Sequence, residues 1–178
     1  MQWYNEPPAW HETDSQITMT AGAQTDFWRY TRHTYITDNG NFYYRSVTGD
    51  FTATVRVSGA YADQYDQAGL MVRENALIWM KCGIEYVDDT MNASAVITRE
   101  FSDWSILPLA ERPAAVWFRV ERIAEAIEVS YSLDGVSFTL IRQGYLSTAP
   151  TLEVGVMAAA PLGNGFEATF SDFVITQE

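Results

Sequence analysis

Residues 65–99 read YDQAGLMVRENALIWMKCGIEYVDDTMNASAVITR, and the fold is decided there. Ala68, Leu70 and Val72 alternate with Gln67, Gly69, Met71 and Arg73. Ile78, Met80, Cys82, Ile84 and Tyr86 then alternate with Trp79, Lys81, Gly83 and Glu85. A period of two is the signature of a β-strand with one face against a core, whereas a helix would repeat its apolar positions every three or four residues. The breaks at Glu74-Asn75-Ala76 and Asp88-Asp89 carry turn-forming residues, so the stretch predicts three consecutive antiparallel strands.

The same alternation extends in both directions. Phe51 to Val57 places Phe51, Ala53, Val55 and Val57 on one face. Val116–Arg122, Ala126–Leu133, Ser137–Arg142, Leu152–Ala158 and Phe166–Ile175 follow the pattern. Turns are expected at Asp38-Asn39-Gly40, Val47 to Asp50, Asp134-Gly135 and Gly163-Asn164-Gly165. Helical periodicity is nearly absent. Many short strands joined by hairpin turns predict an all-β fold, a two-sheet antiparallel β-sandwich occupying residues 1–178 as a single domain.

Parity also sorts the polar residues. With a three-residue loop at Glu74-Asn75-Ala76, Arg73 faces Leu77 and Tyr65 faces Glu85. With a second loop from Asp88 to Met91, Glu85 faces Ser94 and Lys81 faces Thr98. One face then carries Gln67, Trp79, Lys81, Glu85, Ser94 and Thr98 around Gly69 and Gly83. Trp117, Arg119 and Glu121, and then Glu153, Gly155 and Met157, fall at equivalent positions on later strands. Glycines flanked by Trp, Lys, Glu, Gln and Arg suit a shallow groove for a sugar or other small polar ligand. Aromatic rings cover a sugar's apolar faces, while amides and charged groups bond its hydroxyls. The plainer alternative is a solvated sheet face, polar for that reason alone.

Composition narrows the classes of function. Apolar residues make up 47% and charged residues 19%, which is globular rather than disordered composition. The net charge is −12 with no basic stripe, so neither nucleic acid nor an anionic membrane is expected as a partner. The one cysteine, Cys82, falls on the core side and is read as a buried hydrophobe. It can form no internal disulfide, and Met1–Trp10 lacks the basic and apolar regions of a secretion signal, so a cytoplasmic location is expected. The sequon Asn92-Ala93-Ser94 is then a chance match. His11 and His33 have no ligand-like spacing, so no metal or cofactor is expected. Asp88-Asp89 and Asp38-Asn39-Gly40 are explained more simply as turns than as calcium ligands.

Several stretches resemble a family of unknown function known for a "regulation of enolase" member. They are Trp3-Tyr4-Asn5-Glu6-Pro7, Thr25-Asp26-Phe27-Trp28-Arg29, Asp38-Asn39-Gly40, Gly49-Asp50-Phe51, Tyr65 to Arg73, Trp79 to Val87 and Ser102-Asp103-Trp104-Ser105. The resemblance runs in order along most of the chain. It implies a jelly roll of the concanavalin A-like lectin/glucanase type with a concave sheet. The family often shows Asp-Asn-Gly-His, and Asn41 stands here where that His would be.

Three functions follow as expectations. The first is non-catalytic carbohydrate binding on the concave sheet, with Trp28, His33, Gln67, Trp79, Lys81, Glu85, Trp104 and Arg119 as candidate ligand contacts. The second is a regulatory module that docks a protein, with Trp3, Tyr4 and Trp10 as an aromatic patch. The third is glycoside hydrolysis, which needs two carboxyls about 5–9.5 Å apart. The glucanases of the superfamily place three acids on one strand. Here the matching strand offers Glu85 between Gly83 and Val87, so Glu121 or Glu153 would have to complete a pair. No catalytic residue is assigned. An exposed sheet edge would allow a homodimer.

Overall fold

The computed structural model describes residues 1–177. Its strands are β1 (Gln2–Tyr4), β2 (Ala9–Glu12), β3 (Gln16–Thr20), β4 (Phe27–Arg29), β5 (Ile36–Asp38), β6 (Asn41–Thr48), β7 (Phe51–Gly59) and β8 (Gln67–Arg73). They continue with β9 (Ile78–Val87), β10 (Thr90–Arg99), β11 (Phe101–Pro108), β12 (Val116–Ile123), β13 (Ala126–Ser132), β14 (Thr139–Tyr145), β15 (Thr151–Ala159) and β16 (Glu167–Thr176). The first sheet runs β1-β6-β15-β8-β9-β10-β11. The second runs β14-β13-β12-β7-β16-β3-β2, and β4 with β5 forms a separate hairpin. Neighbours in both sheets are antiparallel. The protein is thus the all-β, two-sheet sandwich that the alternation implied, in the jelly-roll form that the resemblance implied.

Apolar alternates from both sheets fill the space between them. Leu70, Val72, Met80 and Ile84 meet Val55, Phe118, Val120 and Phe170, all nearly inaccessible to water. Each such side chain contributes roughly 1.5–3 kcal/mol by leaving water. Cys82 lies in this core, and burial pushes its thiol up to about 12.

The register differs from the sequence expectation at both central hairpins. Arg73 pairs with Trp79 and Gln67 with Glu85, so the first loop is two residues longer than expected. Asn75 sets that length: its Oδ1 accepts from the Leu77 and Ile78 amides. Val87 pairs with Thr90, so the second turn is only Asp88-Asp89, both left-handed at φ 48° and 59°. Two such residues make the hairpin turn whose twist matches the strands. Each shift is of two residues, so every side chain keeps its face.

Gly69 and Gly83 sit directly opposite each other. A Cβ on Gly69 would lie 1.9 Å from the Cys82 carbonyl oxygen, and one on Gly83 2.1 Å from that of Ala68. Close approach of the two strands requires these glycines, independently of any ligand. The N-terminal aromatics close an edge of the sandwich: β1 joins the first sheet, β2 the second, and Trp3 stacks on Tyr43 at 4.6 Å and meets Trp10 at 5.3 Å.

Candidate functional site

The face of the first sheet turned away from the core is not an open groove. The β4–β5 hairpin lies across half of it, held by three anchors. Lys81 rises from β9 and its Nζ donates to Asp26 Oδ1 at 3.0 Å and to the Phe27 carbonyl at 2.7 Å. Arg73 rises from β8 and clamps both oxygens of Asp38 at 2.7 and 2.8 Å. From the hairpin itself, the Arg29 amide donates to Ser102 Oγ at 3.0 Å and its Nε donates to the Glu100 carbonyl at 3.0 Å. Beneath the hairpin, Phe27, Phe42, Met71, Trp79, Val96 and Met157 make a second, smaller apolar cluster. A Cβ on Gly40 would lie 2.3 Å from the Phe27 ring, so glycine there lets the ring seat.

This arrangement corrects two expected contacts. Trp79 is 1% exposed, packed near Phe27 at 6.1 Å between ring centres, and is absent from the cleft walls. Alternation put it on the correct face but could not reveal the hairpin above it. Arg119 lies on β12 in the second sheet, where its guanidinium sits 3.7 Å from the centre of the Phe138 ring. Parity assigns a face within a strand and says nothing about which sheet holds the strand. Glu121, on the same strand and the same side, is likewise remote. Glu153 belongs to the first sheet but lies beside Arg73 at the covered end, where its charge acts on Arg73 and Tyr44.

The uncovered half of the face forms a cleft of about 610 Å³. Its floor is Gln67, Lys81 and Glu85. The hairpin supplies one wall with Trp28, His33 and Tyr35, and β11 supplies the other with Phe101 and Trp104. His33 stacks on Tyr35 at 5.2 Å, and Tyr65 meets Trp104 edge-on at 6.4 Å. Trp28, His33, Gln67, Lys81, Glu85 and Trp104 of the expected contacts therefore come together. Asp26, Tyr35, Tyr65 and Phe101 line the same cleft and were not singled out from sequence. Asp26 had a usable signal, because a lysine predicted on an apolar-flanked sheet face needs a carboxylate nearby.

Glu85 is the buried acid of the cleft. Its Oε2 accepts from Ser94 Oγ at 2.5 Å and from Trp104 Nε1 at 2.8 Å. Burial raises its pKa above the ordinary carboxylate range, opposed by the charge of Lys81 and by those two hydrogen bonds. Asp26 Oδ1 accepts from Lys81 at 3.0 Å, from the Phe27 amide at 2.7 Å and from Gln67 Nε2 at 3.4 Å. Asn41, where the family often has His, is a tie: it donates to the Asn5 carbonyl and accepts from the Gly22 amide, both at 2.8 Å. Asn92 of the sequon is buried and donates to the Thr90 carbonyl.

Residues 3–178 match the family described as protein of unknown function DUF1349. "Regulation of enolase protein 1" of Saccharomyces cerevisiae is 34% identical over 174 residues, covering 98% of this chain and 88% of that protein. A crystal structure of a functionally unknown protein from S. cerevisiae superposes with a TM-score of 0.95 at 34% identity, over 99% of this chain and 96% of that one. More distant likenesses show the fold alone. The carbohydrate-binding module CBM66 of Bacillus subtilis has a TM-score of 0.63 at 11% identity, covering 98% of this chain and 95% of that one. The GH43 protein BlXynB (K247S mutant) of Bacillus licheniformis has 0.75 at 15%, over 97% of this chain and 36% of that one. The chain belongs to the DUF1349 family, on a two-sheet β-sandwich fold that it shares with the CBM66 module.

Proposed function

We propose that the protein binds a carbohydrate or similar polyhydroxylated ligand, without catalysis, in the cleft between the β4–β5 hairpin and β11. One observation carries this reading: aromatic rings from two separate elements, Trp28 and Tyr35 of the hairpin and Trp104 of β11, line one cleft whose floor holds Gln67, Lys81 and Glu85. Rings on both sides sandwich a sugar's apolar faces, and buried polar groups below fix its hydroxyls. The fold likeness to CBM66 is in keeping with this use of the scaffold. The test is a glycan array with wild type beside a Tyr35→Ala/Trp104→Ala variant, with reducing-sugar release assayed on every hit. Binding lost in the variant, without sugar release, supports the reading. Sugar release replaces it with hydrolysis, and absence of glycan binding by wild type overturns it.

A second reading is a regulatory surface for a protein partner. The name of the yeast relative favours it, as does the edge strand β11, where Phe101, Ile106 and Leu107 are exposed. Failure on the glycan array combined with saturable binding of a purified protein would favour this reading over the first. An exposed edge of this kind is also where two copies would pair, a proposal checked by sedimentation.

A further inference from the structure

We infer that the ligand of the cleft carries a protonated primary amine, so that within the polyhydroxylated class it is an amino sugar with a free ammonium. The inference rests on the proposed carbohydrate reading and sharpens it. It comes from an inventory of which polar atoms of the cleft already have partners.

The donors of the floor are mostly engaged, whereas the walls keep open side-chain donors on Arg32, His33, Tyr35 and Tyr65. Lys81 Nζ donates to Asp26 and to the Phe27 carbonyl. Trp104 Nε1 donates to Glu85. Gln67 Nε2 donates to the Tyr65 carbonyl at 3.1 Å and towards Asp26 at 3.4 Å, and two acceptors on that side fix which end of the amide is nitrogen. On the floor, Glu85 Oε1, Gln67 Oε1 and the neighbouring Asp26 Oδ2 receive no hydrogen bond from any described residue. Glu85 and Gln67 are only 6% and 5% exposed, so these oxygens sit at the bottom of the cleft. A floor of open acceptors calls for a ligand rich in donors. It disfavours phosphate, carboxylate and sulfate groups, which bring acceptors alone.

Among donor groups, an ammonium suits this place better than a hydroxyl. It offers three hydrogens to three acceptors and a charge to a buried carboxylate, and charge-assisted bonds are roughly twice as strong as neutral ones. Aromatic rings attract a cation through their faces, and Trp28, Tyr35, Tyr65 and Trp104 line the cleft. Of the acids lining the cleft, Asp103 pairs with Arg142 and Asp26 with Lys81, which leaves Glu85 as the unpaired acid at the floor and Arg32 as the unpaired cation on the exposed wall. The chain's net charge of −12 draws cations from a distance.

The test uses three oligosaccharides of one length and linkage that differ at C2: glucose, glucosamine and N-acetylglucosamine oligomers. Binding to the full chain is measured by calorimetry below the amine's own pKa and at physiological salt. The glucosamine oligomer is expected to bind at least about tenfold more tightly than the other two. Glu85→Gln, which keeps the side chain's shape, is expected to abolish that preference, bringing the glucosamine oligomer down to the level of the other two. A thermal melt establishes that the variant is folded. Equal or weaker binding of the amine, with the neutral sugars bound, overturns this inference and leaves the carbohydrate reading standing. An amine preference that Glu85→Gln leaves unchanged is adsorption to the acidic surface and also overturns it. Binding of none of the three overturns the inference, and the array decides the wider reading separately.

Discussion

Replacing Lys81 by methionine tests whether the hairpin is held as described. The substitution keeps most of the stem's volume and removes Nζ. Two hydrogen bonds from a charged donor go with it, to Asp26 Oδ1 at 3.0 Å and to the Phe27 carbonyl at 2.7 Å. The Lys81 side chain is 6% exposed and that of Asp26 16%, so the abandoned carboxylate gains little hydration. Removing one partner of a buried pair costs about 3–5 kcal/mol. Asp26 retains the Phe27 amide and Gln67, and burying a methionine in place of an ammonium recovers part of the loss. About 3 kcal/mol remains, which for a chain of this size lowers the melting temperature by roughly 6–12 °C. Urea denaturation of Lys81→Met, Asp26→Asn and the double variant measures the coupling, expected to exceed about 1.5 kcal/mol. Amide exchange should rise in residues 27–38 while the strands of the core stay protected. A loss below about 1 kcal/mol that adds to that of Asp26→Asn would refute the account, because the pair would then behave like an exposed surface bridge.

Other consequences can be measured with the same protein. Gly83→Ala should destabilise by about 3 kcal/mol or more in urea, because its Cβ would lie 2.1 Å from a backbone oxygen that cannot rotate away. Trp79→Ala should cost about 3–5 kcal/mol and loosen the hairpin, whereas a ligand-stacking tryptophan would lose affinity with little change in stability. Cys82 should resist thiol reagents at pH 8 until urea unfolds the chain, since it is buried with its thiol pushed up to about 12. Glu85 has a folded pKa raised above its unfolded value, so the native state holds its proton longer and the group's contribution to stability falls as pH rises through the raised value. Glu85→Gln should remove that part of the pH profile of unfolding, and a profile unchanged by the substitution would show that Glu85 titrates normally.

Most of the sandwich could be read from the chain because a two-residue period has one cause, a strand between core and outer face. Gln67–Arg73 is a strand over the predicted residues, and Phe51, Ala53, Val55 and Val57 all point into the core. Register was less legible. The two loops beside β9 each differ by two residues from expectation, one governed by the Asn75 side chain and the other by left-handed aspartates. Neither conformation is implied by residue type alone, but faces survive a two-residue slip, and so Gln67, Lys81 and Glu85 were grouped correctly. Arg119 shows the limit, since alternation carries no information on which sheet holds a strand. The hairpin was invisible for another reason. β4 and β5 have three residues each, too short for a period to register, and their placement depends on Asp26 and Asp38 reaching cations 55 and 35 positions away.

That placement ties the fold to the candidate site. Without the hairpin, the outer face of the first sheet would expose Phe42, Met71, Trp79, Val96 and Met157, an apolar strip along the middle of the sheet. With it, the strip becomes a second core, and the polar remainder narrows to a cleft with a wall on each side. Arg73 therefore acts on the cleft through the hairpin, Lys81 both anchors the hairpin and lines the floor, and Glu85 and Gln67 reach the cleft directly. The two kinds of residue separate experimentally. Replacing the exposed hairpin tip, residues 31–35, by a short Gly-containing turn removes His33 and Tyr35 from one wall while sparing Asp26, Phe27 and Asp38. Such a variant should unfold within about 1 kcal/mol of wild type, because exposed loop tips tolerate change. It should lose at least about tenfold in affinity for whatever sugar the array identifies, a ring platform removed from one side of the ligand. Unchanged affinity would mean that the ligand rests on Trp28 and Trp104 and does not reach the tip. A large loss of stability would mean that the tip, and not the anchors at its base, holds the hairpin to the sheet.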